Sequence, residues 1–369
     1  MARSIRLLAV LLLALAPALA SPAPAPARPA SGDAFERITP EQAGYDPARL
    51  EALRKLLAER GSESLLLLKD GKVFFEWGDI HRKRLVHSMR KPLLNALIGM
   101  QLQRGCLDLD RTLADYGIDE RPPGLTAQER SATLRQLLQS RSGVYHPATA
   151  EAASMQAARP PRGSHAPGTF YYYNNWDFNV AGAIFEQCAG MGVHEAFGEW
   201  IAKPLGMRDY TGRIIAPPAD GQPLPEWADG FRQLEPAISR YRAYHFRLSA
   251  HDLALFGQLY LQHGVWNGRQ IVPAEWIDAS TRPVSITDEQ YGLAYGMLWD
   301  VLVPEPGQAR TDFYHTGVGV HMLGVYPQYG LVMVHRVNTE APHTFDDGDL
   351  YAIIRAIHAA RVQPVKSAR

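Results

Sequence analysis

The position of the β-rich segments constrains this chain most: they fall near its two ends, with a long stretch of helical periodicity between them. Ser64 to Lys69 carries four consecutive leucines, Asp70-Gly71 supplies a tight-turn dipeptide, and Lys72 to Trp77 alternates apolar and polar residues less cleanly, so a β-hairpin is predicted. Near the other end, His315 to Tyr326 and Leu331 to Val337 are β-rich runs separated by Pro327-Gln328-Tyr329-Gly330, which predicts a second hairpin. Leu350, Ile353, Ile354 and Ile357 then recur at helical spacing. Between the ends, Leu93 to Leu102, Leu134 to Leu138, Phe178 to Phe185 and Leu253 to Leu261 show three- and four-residue apolar spacing. The expected fold class is α/β of the α+β kind. One antiparallel sheet is formed by the N- and C-terminal segments and flanked by helices, the middle forms a mainly helical subdomain, and a cleft lies between them.

The first residues set the compartment. Arg3 and Arg6 precede an apolar run from Leu7 to Ala16, and Ala18-Leu19-Ala20 precedes Ser21. A charged start, a core too short to span a bilayer and small residues at the end read as a secretory signal peptide, residues 1–20. An uncleaved anchor or a buried strand is the competing reading, disfavoured by Pro17 and the Pro/Ala tract after it. Residues 21–32 read as an extended linker, and residues 33–369 as the folded domain, with the sheet part at about 33–84 and 305–369 and the helical part at about 85–304. The protein is therefore expected to be exported, to a periplasm or out of the cell, with no stable membrane insertion after cleavage.

Lys and Arg number 38 and Asp and Glu 38; without Arg3 and Arg6 the balance is 36 − 38 = −2, and no basic tract beyond Arg82-Lys83-Arg84 supports a nucleic-acid partner. Cys106 and Cys188 could pair after export, but a domain of about 340 residues needs no staple, so unpaired structural thiols are expected. The 13 histidines show neither His-Glu-x-x-His nor clustered ligand spacing, so no metal is expected. Gly317-Val318-Gly319 lacks the strand-to-helix context of a dinucleotide loop, so no cofactor is expected.

Three segments could carry chemistry. In Ser88-Met89-Arg90-Lys91, a hydroxyl and an amine three residues apart share one helical face. A serine is a poor nucleophile without a base, and a lysine whose pKa is lowered by burial and nearby cationic groups can be that base. Pro92 complicates this geometry, because it disfavours helix at Lys91; either Pro92 lies in the first turn or the helix start is distorted. In Tyr171-Tyr172-Tyr173-Asn174-Asn175, after Pro167-Gly168, a Tyr-x-Asn pair could offer a phenol and an amide to a cleft, in register Tyr172/Asn174 or Tyr173/Asn175. Ordinary packing and helix capping would explain the same residues. In Tyr314-His315-Thr316-Gly317, an edge strand could line the cleft, with Gly317 letting its backbone approach closely. A solvated strand-end histidine is the plainer reading of His315. Ser140, Ser142, Ser164 and His146 are assigned to loops and caps.

Taken in order, Ser88-x-x-Lys91, Tyr173-x-Asn175 and His315-Thr316-Gly317 resemble the three signature motifs of the serine β-lactamase and penicillin-binding protein superfamily. The flanks resemble the class C-related branch that includes esterases, D-amino-acid peptidases and 6-aminohexanoate-dimer hydrolase. They include Ala132 to Leu138 with Ser142-Gly143, Pro204 to Met207, and Ala250 to Ala254. In that family the tyrosine usually stands six residues after the proline, so Pro167 selects the Tyr173/Asn175 register.

The resemblance implies a β-lactamase/transpeptidase-like fold. It further implies that Ser88 is acylated, Lys91 accepts its proton, Tyr173 relays protons to and from the leaving group, and Asn175, His315, Thr316 and Gly317 contact substrate. The backbone N–H groups of Ser88 and Val318 would form the oxyanion hole. The departure is His315, which stands where β-lactamases and many transpeptidases carry a lysine. A mostly neutral imidazole binds an antibiotic's carboxylate poorly, so a small ester or amide is the expected substrate. A D,D-peptidase or β-lactamase acting on cell-wall peptides or β-lactams, and a catalytically silent peptide-binding or scaffold protein, are the alternatives.

Overall fold

The structure, a computed structural model, describes residues 35–218, 222–308 and 310–362. The expected signal peptide and linker lie outside the described residues. The N-terminal hairpin forms as expected: β1 (Ser64–Lys69) and β2 (Lys72–Gly78) are joined at Asp70 and Gly71, whose φ values of 49° and 81° are those a tight primed turn requires. Six further strands complete the sheet. They are β3 (Ser285–Asp288), β4 (Leu293–Tyr295), β5 (Asp300–Leu302), β6 (Phe313–Gly317), β7 (His321–Tyr326) and β8 (Leu331–Arg336). The order is β2–β1–β8–β7–β6–β5–β4–β3, with every neighbour antiparallel. β1 and β8 pair from Ser64↔Arg336 to Lys69↔Leu331, so the N- and C-terminal segments meet one strand in from an edge of the sheet.

Two expectations need correction. The run from His315 to Tyr326 is two strands, because the chain reverses at Val318 to Val320, where Gly319 and Val320 adopt φ of 81° and 62° and Val320 N–H donates to the Gly317 carbonyl. Strands β3 to β5 also bring residues 285–302 into the sheet, ahead of the expected boundary at 305. Each has only three or four residues, too few to display a period of two.

Both faces of the sheet are covered, which explains the unbroken Leu65-Leu66-Leu67-Leu68. Leu65 and Leu67 pack with helices α1 (Pro47–Glu59) and α6 (Asp347–Ala359) through Leu50, Leu53, Ile353 and Ile357. Leu66 and Leu68 face the larger core, which holds α2 (Arg90–Gln103), α3 (Leu134–Leu138), α4 (Asn175–Ala189) and α5 (Ala250–Leu261). Each fully buried leucine contributes about 1.5–3 kcal/mol. Helix α2 is buried on every side from Arg90 to Gln101, so it has no solvent face to give it a strong amphipathic signature.

Cys106 and Cys188 form a disulfide, which corrects the expectation of unpaired thiols. Cys106 lies just beyond α2 and Cys188 in the last turn of α4. The helix ends bring their Cα atoms to 5.9 Å, within the range a disulfide spans. Core size had addressed whether a staple was needed, not whether the fold would bring the two residues together.

Candidate active site

Ser88 sits in a single 3-10 turn, His87–Met89, that runs directly into α2. The turn is anchored on both sides. Arg84–Leu85 pairs with Ala243–Leu248 in a second, small sheet, and Val86 N–H donates to the Phe246 carbonyl at 2.9 Å. His87 holds φ of 46°, a conformation costly for a residue with a Cβ, and its Nε2 lies 2.8 Å from Thr339 Oγ1. Pro92 is the third residue of α2, in the first turn, where a missing N–H costs no helical hydrogen bond. The Ser-x-x-Lys spacing therefore survives on a regular helix start.

Lys91 Nζ lies 2.7 Å from Ser88 Oγ and is fully buried. It stands 4.6 Å from the centre of the Tyr173 ring and 4.5 Å from that of Phe178. Burial, reinforced by the Arg90 guanidinium and opposed by Asp300, drives the amine well below the ordinary lysine range. An amine shifted toward its neutral form beside a serine hydroxyl can accept its proton.

Tyr173 comes from the loop before α4. Asn174 caps that helix, its Oδ1 accepting from Asp177 N–H at 2.9 Å. The other register points elsewhere, since the Tyr172 hydroxyl donates to the Met155 carbonyl at 2.6 Å. Burial and then the Asp300 carboxylate push the Tyr173 phenol upward, with hydrogen bonding to Ser88 opposing them. The phenol stays protonated. Asn175 Nδ2 donates to the Ala150 carbonyl at 2.6 Å, while its buried Oδ1 has no hydrogen-bond partner among the described residues.

Strand β6 closes the site on the other side. The ring centres of His315 and Tyr173 are 6.3 Å apart. His315 Nδ1 donates to the Thr316 carbonyl at 2.7 Å, which fixes the tautomer and leaves Nε2 as a buried acceptor. Burial, with Lys91 next, drives His315 down to about 3, so the ring is neutral. Gly317 is required by packing: a Cβ there would lie 2.5 Å from the Val86 carbonyl oxygen and 3.2 Å from His87 Cβ. The next residue, Val318, is 61% exposed.

One site residue has no motif in the sequence. Asp300, at the start of β5, lies opposite Tyr314 with its Oδ2 3.7 Å from His315 Nδ1. Burial raises its carboxyl to about 7, and Lys91 pulls the other way. An acid in an otherwise apolar strand was the only available hint, and nothing local ties it to Lys91. Of the residues assigned to caps, Ser142 donates to the buried Asp177 carboxyl at 2.6 Å, and His146 Nδ1 lies 2.8 Å from the Pro147 carbonyl.

The fold also gathers a donor set that sequence spacing did not reveal, because His81, Asp209 and His251 each bring a ligand atom within 4.8 Å of the others. Asp209 Oδ2 accepts from His81 Nδ1 at 2.9 Å, and the Arg208 guanidinium contacts the same ring. An arginine seated there favours an anion-balancing cluster over a cation site.

The family model described as Beta-lactamase matches residues 53–357. No curated protein sequence matches the chain. A Bacillus anthracis protein described as a candidate 6-aminohexanoate-dimer hydrolase is similar at a TM-score of 0.61 and 17% identity, over 88% of this chain and 86% of its own. A penicillin-binding protein homologue from Caulobacter crescentus has a TM-score of 0.59 and 19% identity over 86% and 99%. A class C beta-lactamase mutant has a TM-score of 0.61 and 15% identity over 85% and 98%.

Proposed function

The chain belongs to the beta-lactamase family of serine hydrolases, and on that premise we propose that it is an exported enzyme that cleaves a small ester or amide through an acyl-enzyme at Ser88. The single observation that carries the reading is the 2.7 Å contact between Ser88 Oγ and a fully buried Lys91 amine. In the proposed sequence, Ser88 Oγ attacks the substrate carbonyl carbon as its proton passes to Lys91 Nζ. The tetrahedral oxyanion accepts hydrogen bonds from the Ser88 and Val318 N–H groups. It then collapses, breaking the bond to the leaving group, which takes the Tyr173 proton; Lys91 returns the proton it took from Ser88 to the phenol. Water attacks the acyl carbon by the reverse relay and frees Ser88.

An amine shifted toward its neutral form as base and a protonated phenol as acid suit these roles, since opposite environmental shifts separate acid from base. Asn175, His315, Thr316 and Gly317 are proposed to hold the substrate. With His315 neutral, the site has no fixed cation on β6 for a β-lactam carboxylate, which supports an ester or amide.

Steady-state hydrolysis of p-nitrophenyl acetate and butyrate and of nitrocefin, in wild type, Ser88→Ala and Lys91→Ala, tests the reading. Ester turnover that collapses in both variants, with little nitrocefin cleavage, is expected. Full activity in Ser88→Ala would overturn the assignment. Export is tested by N-terminal sequencing of the protein recovered from periplasm or medium, with Ser21 as the expected first residue.

A further inference from the structure

The two N–H groups proposed to hold the oxyanion come from distant parts of the chain: Ser88 from the turn before α2, and Val318 from the reversal between β6 and β7. Among the described residues no backbone hydrogen bond joins those two turns. Their spacing is therefore set by packing. His87, the residue before Ser88, lays its ring along that of His321 at the start of β7, with ring centres 5.5 Å apart and planes 26° from parallel.

A third segment closes the contact. Thr339, three residues beyond β8 and half-buried, brings Oγ1 to 2.8 Å from His87 Nε2. Its methyl meets the other turn: a Cβ on Gly319, the residue after Val318, would overlap Thr339 Cγ2 and lie 3.2 Å from His343 Nε2. One short side chain thus touches the neighbour of each oxyanion donor. Thr339 is itself tied down. Its N–H donates to the Val337 carbonyl at 3.1 Å, and the adjoining Glu340 accepts from Leu85 N–H at 2.8 Å while its other oxygen lies 2.8 Å from Arg247 Nη2. At φ of 46°, His87 occupies a conformation that persists only where its surroundings hold it, and Thr339 Oγ1 is the hydrogen-bond partner of its ring.

We propose that Thr339 is a positioning residue for the oxyanion hole, setting the spacing of the Ser88 and Val318 N–H groups through its hydroxyl on His87 and its methyl on Gly319. The assignment rests on the hydrolase reading of Ser88. Oxyanion donors act on charge that develops in the transition state, so a disturbed spacing lowers the rate and leaves substrate affinity in place. Deleting a donor outright costs about a hundredfold to a thousandfold in kcat, so displacing one that is still present should cost about tenfold.

The test uses Thr339→Val, which keeps the methyl and loses the hydroxyl, and Thr339→Ser, which does the reverse. Each is measured for kcat and KM on p-nitrophenyl butyrate, for inhibition by phenylboronic acid, whose tetrahedral adduct with Ser88 resembles the transition state, and for melting temperature. Both variants are expected to lose about tenfold in kcat with KM within about twofold of wild type and boronate affinity falling in parallel. Their melting temperatures should stay within about 3 °C of wild type. In a His87→Gly background the hydroxyl has no ring to hold, so Thr339→Val should cause no further loss, whereas Thr339→Ser still should. Wild-type kcat in both single variants, a loss that follows melting temperature while boronate affinity is unchanged, or a valine effect that persists in full without His87 would overturn the assignment and leave the hydrolase reading standing. A wild-type protein inert toward p-nitrophenyl butyrate, with Ser88 unreactive toward a fluorophosphonate, would instead remove the hydrolase reading and this assignment with it.

Discussion

Gly317→Ala tests how closely strand β6 must approach the Ser88 turn. The added Cβ would sit 2.5 Å from the Val86 carbonyl oxygen, 3.0 Å from His321 Cδ2 and 3.2 Å from His87 Cβ. The nearest obstacle is backbone, two residues before Ser88, so no side-chain rotation relieves it. Ordinary contact begins at 3.4 Å, so strand and turn must separate by about 3.4 − 2.5 = 0.9 Å. Overpacking of that kind costs about 1–3 kcal/mol of stability. The larger effect is on chemistry: Val318, the proposed second oxyanion donor, follows Gly317 directly, and a shift near 1 Å costs about a hundredfold in rate. Gly317→Ala should therefore lower kcat/KM for p-nitrophenyl butyrate about a hundredfold while the melting temperature falls by only a few degrees. The assay is steady-state turnover with thermal unfolding on the same preparation. A variant within about twofold of wild type in kcat/KM, with an unchanged melting temperature, would refute the argument that β6 is held against the turn by the absence of a side chain.

Other perturbations test other parts of the structure. Because the buried Lys91 amine is depressed well below 10.5, ester turnover should fall as pH drops and rise through an apparent pKa far below that of a free lysine. For the same reason Lys91→Met should abolish turnover yet raise unfolding stability at pH 7 by about 0.5–2 kcal/mol in a denaturant titration, as an ionisable group leaves the core. Acid should unfold the protein early. His87 and His194 are held at about 4 and His315 and His335 at about 3, with His245 and His321 also depressed, so the unfolded chain takes up protons first. Stability is then present above 6.5 and lost as pH falls toward 4. The raised carboxyls of Asp177, Asp300 and Asp312 oppose this but are outnumbered. A melting temperature unchanged between pH 7 and 4.5 would contradict it. Replacing Cys106 and Cys188 together with serine should cost about 4.5 kcal/mol by the chain-entropy relation for their separation of 82 residues, read as a drop in denaturant midpoint that wild type shows only under reducing conditions.

What could be read before folding was local or periodic. The Asp70-Gly71 turn, the helices at α2 to α6 and the strands β1, β2, β7 and β8 carry their own signals, because turn chemistry and side-chain spacing act over a few residues. The order of the three motifs pointed to the family. Strands β3 to β5 stayed hidden because three- or four-residue strands show no period, and their pairing is chosen by neighbours far along the chain.

The site divides in the same way. Ser88 and Lys91 meet because helical geometry places residues three apart on one face, a relation already present in the linear spelling. The depressed amine, the neutral His315 and the Asp300 carboxyl beside them are products of burial and of distance between strands and helices more than a hundred residues apart. The Cys106–Cys188 pair, 82 residues apart, likewise meets only in the folded chain. Residue types and short spacings are written in sequence. Electric fields, desolvation and which distant side chains share a wall exist only once the sheet has closed.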